Sequence, residues 1–159
     1  MADRRITLFR HAKAAWPDDV DDIDRPLADR GEADAPVAGR WLAGQPLPSL
    51  VLCSPAVRAR RTCELAMAAL PDIPVRIEER IYAASAGDLL DVVHQLPGDT
   101  RHVMLVGHNP GLSHLAGLLA GERIDLSTAG IAVVAWTGSW TDAAPGKGRL
   151  VAAATPRAR

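Results

Sequence analysis

Short apolar runs rich in β-branched residues alternate with longer stretches of helical periodicity, and this alternation most constrains how the chain can fold. The predicted strands are residues 6–9, 50–53, 75–77, 103–106, 131–136 and 149–153. The predicted helices are 29–43, 56–70, 87–96 and 111–119, and Pro36 is expected to kink or divide the first of them. Strands that alternate with helices form mainly parallel sheets covered on both faces. We therefore predict an α/β fold, a three-layer α/β/α sandwich with a mainly parallel sheet and an antiparallel edge strand near the end of the chain.

Length and composition favour a single domain over residues 1–159, with 155–159 as a flexible tail. A net charge of −1 gives no global attraction to nucleic acid or to a membrane surface, and no apolar run reaches the roughly 18 residues that span a bilayer. The first 15 residues show no secretory leader, and the two cysteines are too few for a disulfide scaffold. We expect a cytoplasmic protein, and a monomer because no heptad pattern indicates a dimer.

Polar residues of kinds that bind anions follow three of the predicted strands. They are Arg10 and His11 after the first strand, Ser54 and Arg58 after the second, and His108 and Asn109 after the fourth. If the strands are parallel, these residues meet at the carboxyl edge of the sheet, where open α/β sheets bind ligands. Ser54 and Asn109 each precede a proline, so we predict that they cap two helices whose N-termini face this edge. Such a collection of arginines, histidines and helix N-termini favours a phosphate-type anion.

Each of these three segments, taken alone, also suits an ordinary strand-to-helix corner, and only their coincidence at one edge indicates a site. A cysteine phosphatase is disfavoured because Cys53 and Arg58 form Cys-x4-Arg, whereas that chemistry uses Cys-x5-Arg. The histidine spacing matches no zinc-site pattern, and the first strand is not followed by the glycine pattern of a dinucleotide fold. A phosphate-type site therefore fits this edge of the sheet better than a thiol, zinc or dinucleotide site.

Four segments in order resemble the histidine phosphatase superfamily, the phosphoglycerate mutase-like proteins. They are LFRHAKA at 8–14, DRPLADRG at 24–31, SPAVRARRT at 54–62 and VGHNP at 106–110. The resemblance covers about residues 5–137, and the small size with the Arg-Pro-Leu segment points to the phosphohistidine phosphatase branch, the SixA-like proteins. Two positions differ from the family pattern, since Ala12 replaces a glycine and Ala28 replaces the threonine that caps the following helix.

The resemblance implies a phosphoglycerate mutase-like fold and assigns roles to the residues at the sheet edge. His11 would be the nucleophile that becomes phosphorylated, and Arg10, Arg58 and His108 would hold the phosphoryl oxygens, with Asn109 beside them as a further phosphate-binding residue. A neutral imidazole is a competent nucleophile, and nearby guanidinium groups should keep His11 unprotonated. The implied scheme needs no metal and no cofactor.

The sequence leaves the general acid open. The candidates are Asp22, Asp24, Glu78 and Glu79, and Asp22 is our working hypothesis. A phosphohistidine substrate needs no strong acid, because its imidazole leaving group can carry its own proton. We therefore predict a phosphatase that acts through a phosphohistidine intermediate on a phosphohistidine-bearing protein. A small-metabolite phosphomonoesterase or mutase, and a non-catalytic phosphate-binding module, are the alternatives.

Overall fold

Within residues 3–159, six strands form one mixed sheet. The computed structural model describes these residues, and Met1 and Ala2, which fall within the predicted domain, lie outside the described residues. The strands are β1 (Asp3–Arg10), β2 (Leu50–Cys53), β3 (Val75–Ile77), β4 (His102–Gly107), β5 (Ile131–Thr137) and β6 (Arg149–Ala154), in the spatial order β3-β2-β4-β1-β5-β6. The first four run parallel, whereas β5 is antiparallel to both β1 and β6. The predicted mainly parallel sheet is confirmed, and its antiparallel strand lies one position in from the edge that β6 forms.

Helices cover both faces of the sheet, which confirms the predicted three layers. They are α1 (Asp29–Ala43), α2 (Val57–Met67), α3 (Ala86–His94) and α4 (Gly111–Ala120). Because side chains alternate along a strand, Leu8 packs in the core beneath α3 and α4, while Phe9 packs in the core beneath α1 and α2. No helix within residues 3–159 is both long enough and apolar enough to cross a bilayer.

Two helix starts differ from the prediction. The N-cap of α2 is Ala56 and that of α4 is Pro110, so neither Ser54 nor Asn109 occupies the capping position. Both side chains instead stabilise the turns that lead into these helices. Ser54 Oγ accepts a hydrogen bond from the backbone N–H of Ala56 (3.2 Å), and Asn109 Oδ1 accepts one from the Ser113 hydroxyl (2.7 Å). The strands therefore turn through a short non-helical segment before each helix begins.

Two further expectations are corrected. Helix α1 is continuous across Pro36, so the proline does not divide it. Residues 155–159 are docked rather than free: the Ala158 N–H donates to Asp34 Oδ1 (2.9 Å), and Arg157 Nη1 donates to the Thr128 carbonyl (2.6 Å). The Asp34 carboxylate is only 1% exposed, and a buried carboxylate requires hydrogen-bond partners, which the tail supplies.

Helices α1 and α2 approach each other closely at Gly39. A Cβ atom added at this position would overlap the backbone carbonyl oxygen of Ala66 on α2. Because this neighbour is backbone rather than a flexible side chain, one of the two helices would have to shift.

We predict that Gly39→Ala lowers the free energy of unfolding by about 1–3 kcal/mol because of this overlap. A decrease in stability would indicate the steric overlap, because alanine is normally favoured over glycine within a helix by ~0.5–1 kcal/mol. Urea unfolding would measure the change. Gly98→Ala is the matched control, because no atom lies within 4 Å of a Cβ added there. A Gly39→Ala protein as stable as wild type would contradict the close packing.

Candidate active site

The carboxyl ends of β1, β2 and β4 meet at a pocket of about 320 Å³. The structure brings five of the predicted residues together in its lining: Arg10, His11, Arg58, His108 and Asn109. Asp22 does not line the pocket, but its carboxylate contacts Arg58. The sheet order explains this arrangement, because β4 lies between β1 and β2 and all three strands run in the same direction.

His11 is held at the base of the pocket and is 9% exposed. Its backbone N–H donates to the carbonyl of Gly107 (2.9 Å), which continues the β1–β4 pairing past the last residue of β1. Its ring Nδ1 lies 2.7 Å from the carbonyl oxygen of Ala12. Since a carbonyl can only accept, Nδ1 carries the proton in the neutral ring. Nε2 makes no hydrogen bond to any residue in the 3–159 range, so its lone pair is available.

The pKa of His11 is lowered to about 3. Burial is the main cause, because it penalises the charged imidazolium, and His108, Arg58 and Arg10 lower it further by electrostatic repulsion. The hydrogen bond to the Ala12 carbonyl opposes these effects without overcoming them. His11 is therefore a neutral imidazole at pH 7.

His108 lies beside His11, with the two ring centroids 5.1 Å apart. Its Nε2 is 2.7 Å from the Ser54 hydroxyl, and the ring of Tyr82 meets it edge-on with centroids 5.6 Å apart. Burial, followed by the charge of Arg58, lowers the pKa of His108 to about 4. The second ring is therefore also neutral, and its orientation is fixed by Ser54 at the end of β2.

Arg58 is only 6% exposed, and its guanidinium makes two hydrogen bonds to Asp22. Its Nη1 donates to the backbone carbonyl of Asp22 (2.6 Å), and its Nη2 donates to the Asp22 carboxylate (3.0 Å). Thr62, one turn further along α2, links the helix to the end of β1. Its hydroxyl donates to the Arg58 carbonyl (2.7 Å) and accepts from the Ala12 N–H (3.0 Å). The guanidinium is therefore fixed relative to the backbone that carries His11.

The environment of Asp22 does not suit a general acid. Its carboxylate accepts hydrogen bonds from Tyr82 (2.6 Å), Arg58 (3.0 Å) and Arg25 (3.2 Å). The hydrogen bond from Tyr82 is the main cause that lowers the pKa of Asp22 to about 2. Burial opposes it, and the hydrogen bonds from Arg58 and Arg25 lower the pKa further. A carboxyl group ionised at neutral pH has no proton to donate. Asp22 is better described as the counter-charge that positions Arg58.

The other acid candidates lie away from the reacting position. Glu78 forms an ion pair with Arg80 (2.7 Å), and this contact lowers its pKa. Neither Asp24 nor Glu79 lines the pocket, and among the described residues none of the pocket-lining side chains is a carboxylate.

Arg10 and Asn109 share one partner, the carbonyl oxygen of Leu126. Arg10 Nη1 donates to it at 2.9 Å and Asn109 Nδ2 donates to it at 2.7 Å. Because the Asn109 carbonyl also accepts from the Ser113 hydroxyl, both ends of this amide already have protein partners. The direct contribution of Asn109 to phosphate binding remains a prediction.

The site also contains residues to which the sequence reasoning gave no role. Tyr82 contacts both Asp22 and His108. Arg25 lines the pocket, and its guanidinium carbon lies 3.2 Å from the ring centroid of Trp16. Arg25 could have been found, because it begins the Arg-Pro-Leu motif. Tyr82 had no sequence signal, since it lies in an irregular segment after β3.

These features define an α/β phosphatase with paired arginines and histidines at the carboxyl edge of its sheet. The family model of the histidine phosphatase superfamily (branch 1) matches residues 6–96, more than half of the chain. The chain therefore belongs to this superfamily. It is an enzyme of the hydrolase class whose substrate is a phosphorylated compound.

Similar proteins extend the match over nearly the whole chain. An uncharacterized protein of Mycobacterium tuberculosis is 42% identical over 161 residues, which cover 94% of this chain and 100% of the relative. A structure from Nakamurella multipartitia named phosphohistidine phosphatase SixA is 30% identical, with a TM-score of 0.87 and 98% of each chain covered. The structure of the protein histidine phosphatase SixA complexed with tungstate is 25% identical, with a TM-score of 0.81, and covers 96% of this chain and 97% of that one.

We predict that His11 remains neutral when the folded protein is titrated from pH 8 to pH 5, because its pKa lies at about 3. NMR of the ring nitrogens would show one protonated nitrogen, Nδ1, throughout this range. The same protein in denaturant is the control, since there each histidine should titrate near its unperturbed pKa of about 6.5. An imidazolium signal from folded His11 at pH 6 would contradict the prediction.

Proposed function

We propose that this protein is a phosphohistidine phosphatase that acts through a phosphorylated His11. The observation that carries the proposal is the neutral His11 ring, whose Nε2 has a free lone pair in a pocket lined by Arg10, Arg58 and His108. A nucleophile surrounded by fixed cations is suited to attack a phosphoryl group, whose transition state spreads negative charge over its oxygens.

The reaction proceeds in two displacements. In the first, His11 Nε2 attacks phosphorus, a new N–P bond forms, and the bond between phosphorus and the leaving group breaks. Arg10 and Arg58 hold the phosphoryl oxygens, and His108 lies alongside. In the second, water attacks phosphorus, the bond to His11 breaks, and inorganic phosphate leaves with the electron pair returned to the imidazole.

Unpaired polar groups around the pocket support binding of an anion. Arg10 Nε, Arg58 Nε and His108 Nδ1 are buried and have no hydrogen-bond partner among the described residues. A buried polar group left unpaired costs about 1–3 kcal/mol. A doubly charged phosphoryl group held between the two guanidinium groups would offset part of this cost electrostatically.

The lack of a suitable general acid favours a phosphoramidate over an alkyl ester. Expelling an alkoxide requires a proton donor, whereas an imidazole leaves readily once its other nitrogen is protonated. Asp22 is ionised, and no carboxyl group in the described chain lines the pocket. A pocket without a proton donor for the leaving group therefore suits phosphohistidine, the substrate class named for the SixA structures.

The rim of the pocket favours a substrate carried by a protein. Trp16 is 76% exposed beside the pocket, and Val20 in the same loop is also exposed. In this proposal the two side chains supply apolar contacts to the protein that presents its phosphohistidine to the pocket.

We predict that wild-type protein releases phosphate from a phosphohistidine-bearing protein much faster than from p-nitrophenyl phosphate, and that His11→Ala abolishes both activities because the nucleophile is lost. Phosphate release would be followed for both substrates in parallel. His114→Ala is the control, since His114 is an exposed histidine outside this pocket. Activity on the ester alone would assign a small-phosphomonoester phosphatase, and His11-independent release or no release at all would contradict the proposal.

We predict that Asp22→Asn raises KM about tenfold, because Arg58 loses a charge-assisted hydrogen bond of about 1.5–3 kcal/mol. The increase in KM should be similar for substrates with good and with poor leaving groups, because a residue that only positions Arg58 donates no proton to the leaving group. Steady-state kinetics with an aryl and an alkyl phosphate would measure it. Asp24→Asn is the matched control, an exposed aspartate in the same short turn. A loss confined to the alkyl substrate would show that Asp22 is the general acid after all.

A further inference from the structure

The segment after β6 returns to the active-site side of the protein and is fixed there by Arg157. Arg157 Nη1 donates to the Thr128 carbonyl (2.6 Å) and lies 3.4 Å from Asp34 Oδ2. The Asp34 carboxylate, buried on α1, also accepts from Arg30 Nε (3.0 Å) and from the Ala158 N–H (2.9 Å). Arg157 thus connects a buried carboxylate on one side to a backbone carbonyl on the other, and Thr128 lines the phosphate pocket.

Thr128 belongs to the 126–130 loop, which lies between α4 and β5 and orients the catalytic end of β1. The Leu126 carbonyl accepts from the Arg10 side chain (2.9 Å), and the Gly130 carbonyl accepts from the Arg10 backbone N–H (3.0 Å). The Ala129 N–H donates to the His11 carbonyl (3.0 Å). The loop therefore fixes Arg10 by both its backbone and its guanidinium.

The backbone of this loop is strained at Ala129. This residue has φ of 59°, in the left-handed region that non-glycine residues rarely adopt. Such a conformation is energetically costly and persists only where the surrounding contacts hold it in place. The His11 carbonyl holds Ala129 from the pocket side, and Arg157 holds the preceding Thr128 carbonyl from the tail side.

Arg157 also contributes charge to the pocket. Burial is the main cause that lowers the pKa of Arg10, and the charge of Arg157 lowers it further, so the two guanidinium groups repel each other electrostatically. An anion bound beside Arg10 would relieve this repulsion.

We propose that Arg157, latched to Asp34, is a positioning residue that holds the 126–130 loop and thereby orients Arg10 for phosphate binding. This inference deepens the proposed function, and it rests on that function in requiring that the pocket binds a phosphoryl group or an oxyanion resembling it. Arg157 thus acts on the pocket through the Thr128 carbonyl and does not itself line it.

The test is a double-mutant cycle on the full chain, with tungstate as the probe and calorimetry as the readout. Arg157→Ala should raise the tungstate Kd roughly tenfold in the wild-type background, and by less than about twofold when Arg10 is already alanine. KM for the hydrolysed substrate should rise in parallel, with kcat changed by less than about twofold. Arg157→Lys keeps the charge without the planar fork, so it should recover only part of the affinity.

Arg159→Ala is the matched control, an exposed arginine two residues further along that should bind tungstate as wild type does. Thermal unfolding of each variant would confirm that binding is measured on folded protein. An unchanged Kd for Arg157→Ala overturns the inference, as does an equal loss in both Arg10 backgrounds or full recovery by lysine. Because tungstate binding needs no turnover, a protein that binds tungstate but hydrolyses nothing would refute the proposed function while leaving the cycle decisive. A wild-type protein that does not bind tungstate would refute both.

Discussion

The parallel pairing of β1 with β4 is the constraint on which the whole site depends. The His11 N–H donates to the Gly107 carbonyl one position beyond the end of β1, so the β1–β4 hydrogen bonds fix the backbone of the proposed nucleophile. Since His108 follows Gly107 directly, the same register brings the two histidine rings to 5.1 Å. If β1 paired with β4 one residue out of register, each β1 side chain would point to the other face of the sheet. The residues that now pack in one hydrophobic core would then face the other core.

Charge is distributed so that the pocket remains positive while its arginines stay ordered. Asp22 accepts hydrogen bonds from Arg58 and Arg25, and its carboxylate does not line the pocket. Arg10 is held by the Leu126 carbonyl, which orients it without neutralising it. This arrangement keeps His11 deprotonated, and in the proposed reaction the same charges would attract the phosphoryl dianion, so one set of charges would serve both requirements.

Sequence reasoning predicted which residues would meet in the pocket, because the motifs follow strand ends and parallel strands bring their ends together. Its predictions were wrong where a residue's position or role depends on contacts with residues distant in sequence. The helix after β2 is capped two residues later than the Ser-Pro pattern indicates, and the helix after β4 one residue later than the Asn-Pro pattern indicates. The Ser54 hydroxyl instead lies 2.7 Å from His108 Nε2. The role of Asp22 depends on Tyr82, sixty positions away in sequence, and no local pattern encodes that contact. The tail looked free because its partner, Asp34, lies on the buried face of a distant helix.

The two imidazoles of the proposed reaction differ in a way that sets its direction. His11 is buried among cations, and its pKa of about 3 keeps it unprotonated and ready to attack. A histidine on the surface of a partner protein is in contact with water, so the ring nitrogen that does not carry phosphorus can take up a proton before the N–P bond breaks. With a proton already on its other nitrogen, the departing ring leaves as a neutral imidazole, and in the proposed reaction Arg10 and Arg58 hold the phosphoryl group on His11. The difference between the two environments therefore replaces the proton donor that an alkyl ester would require.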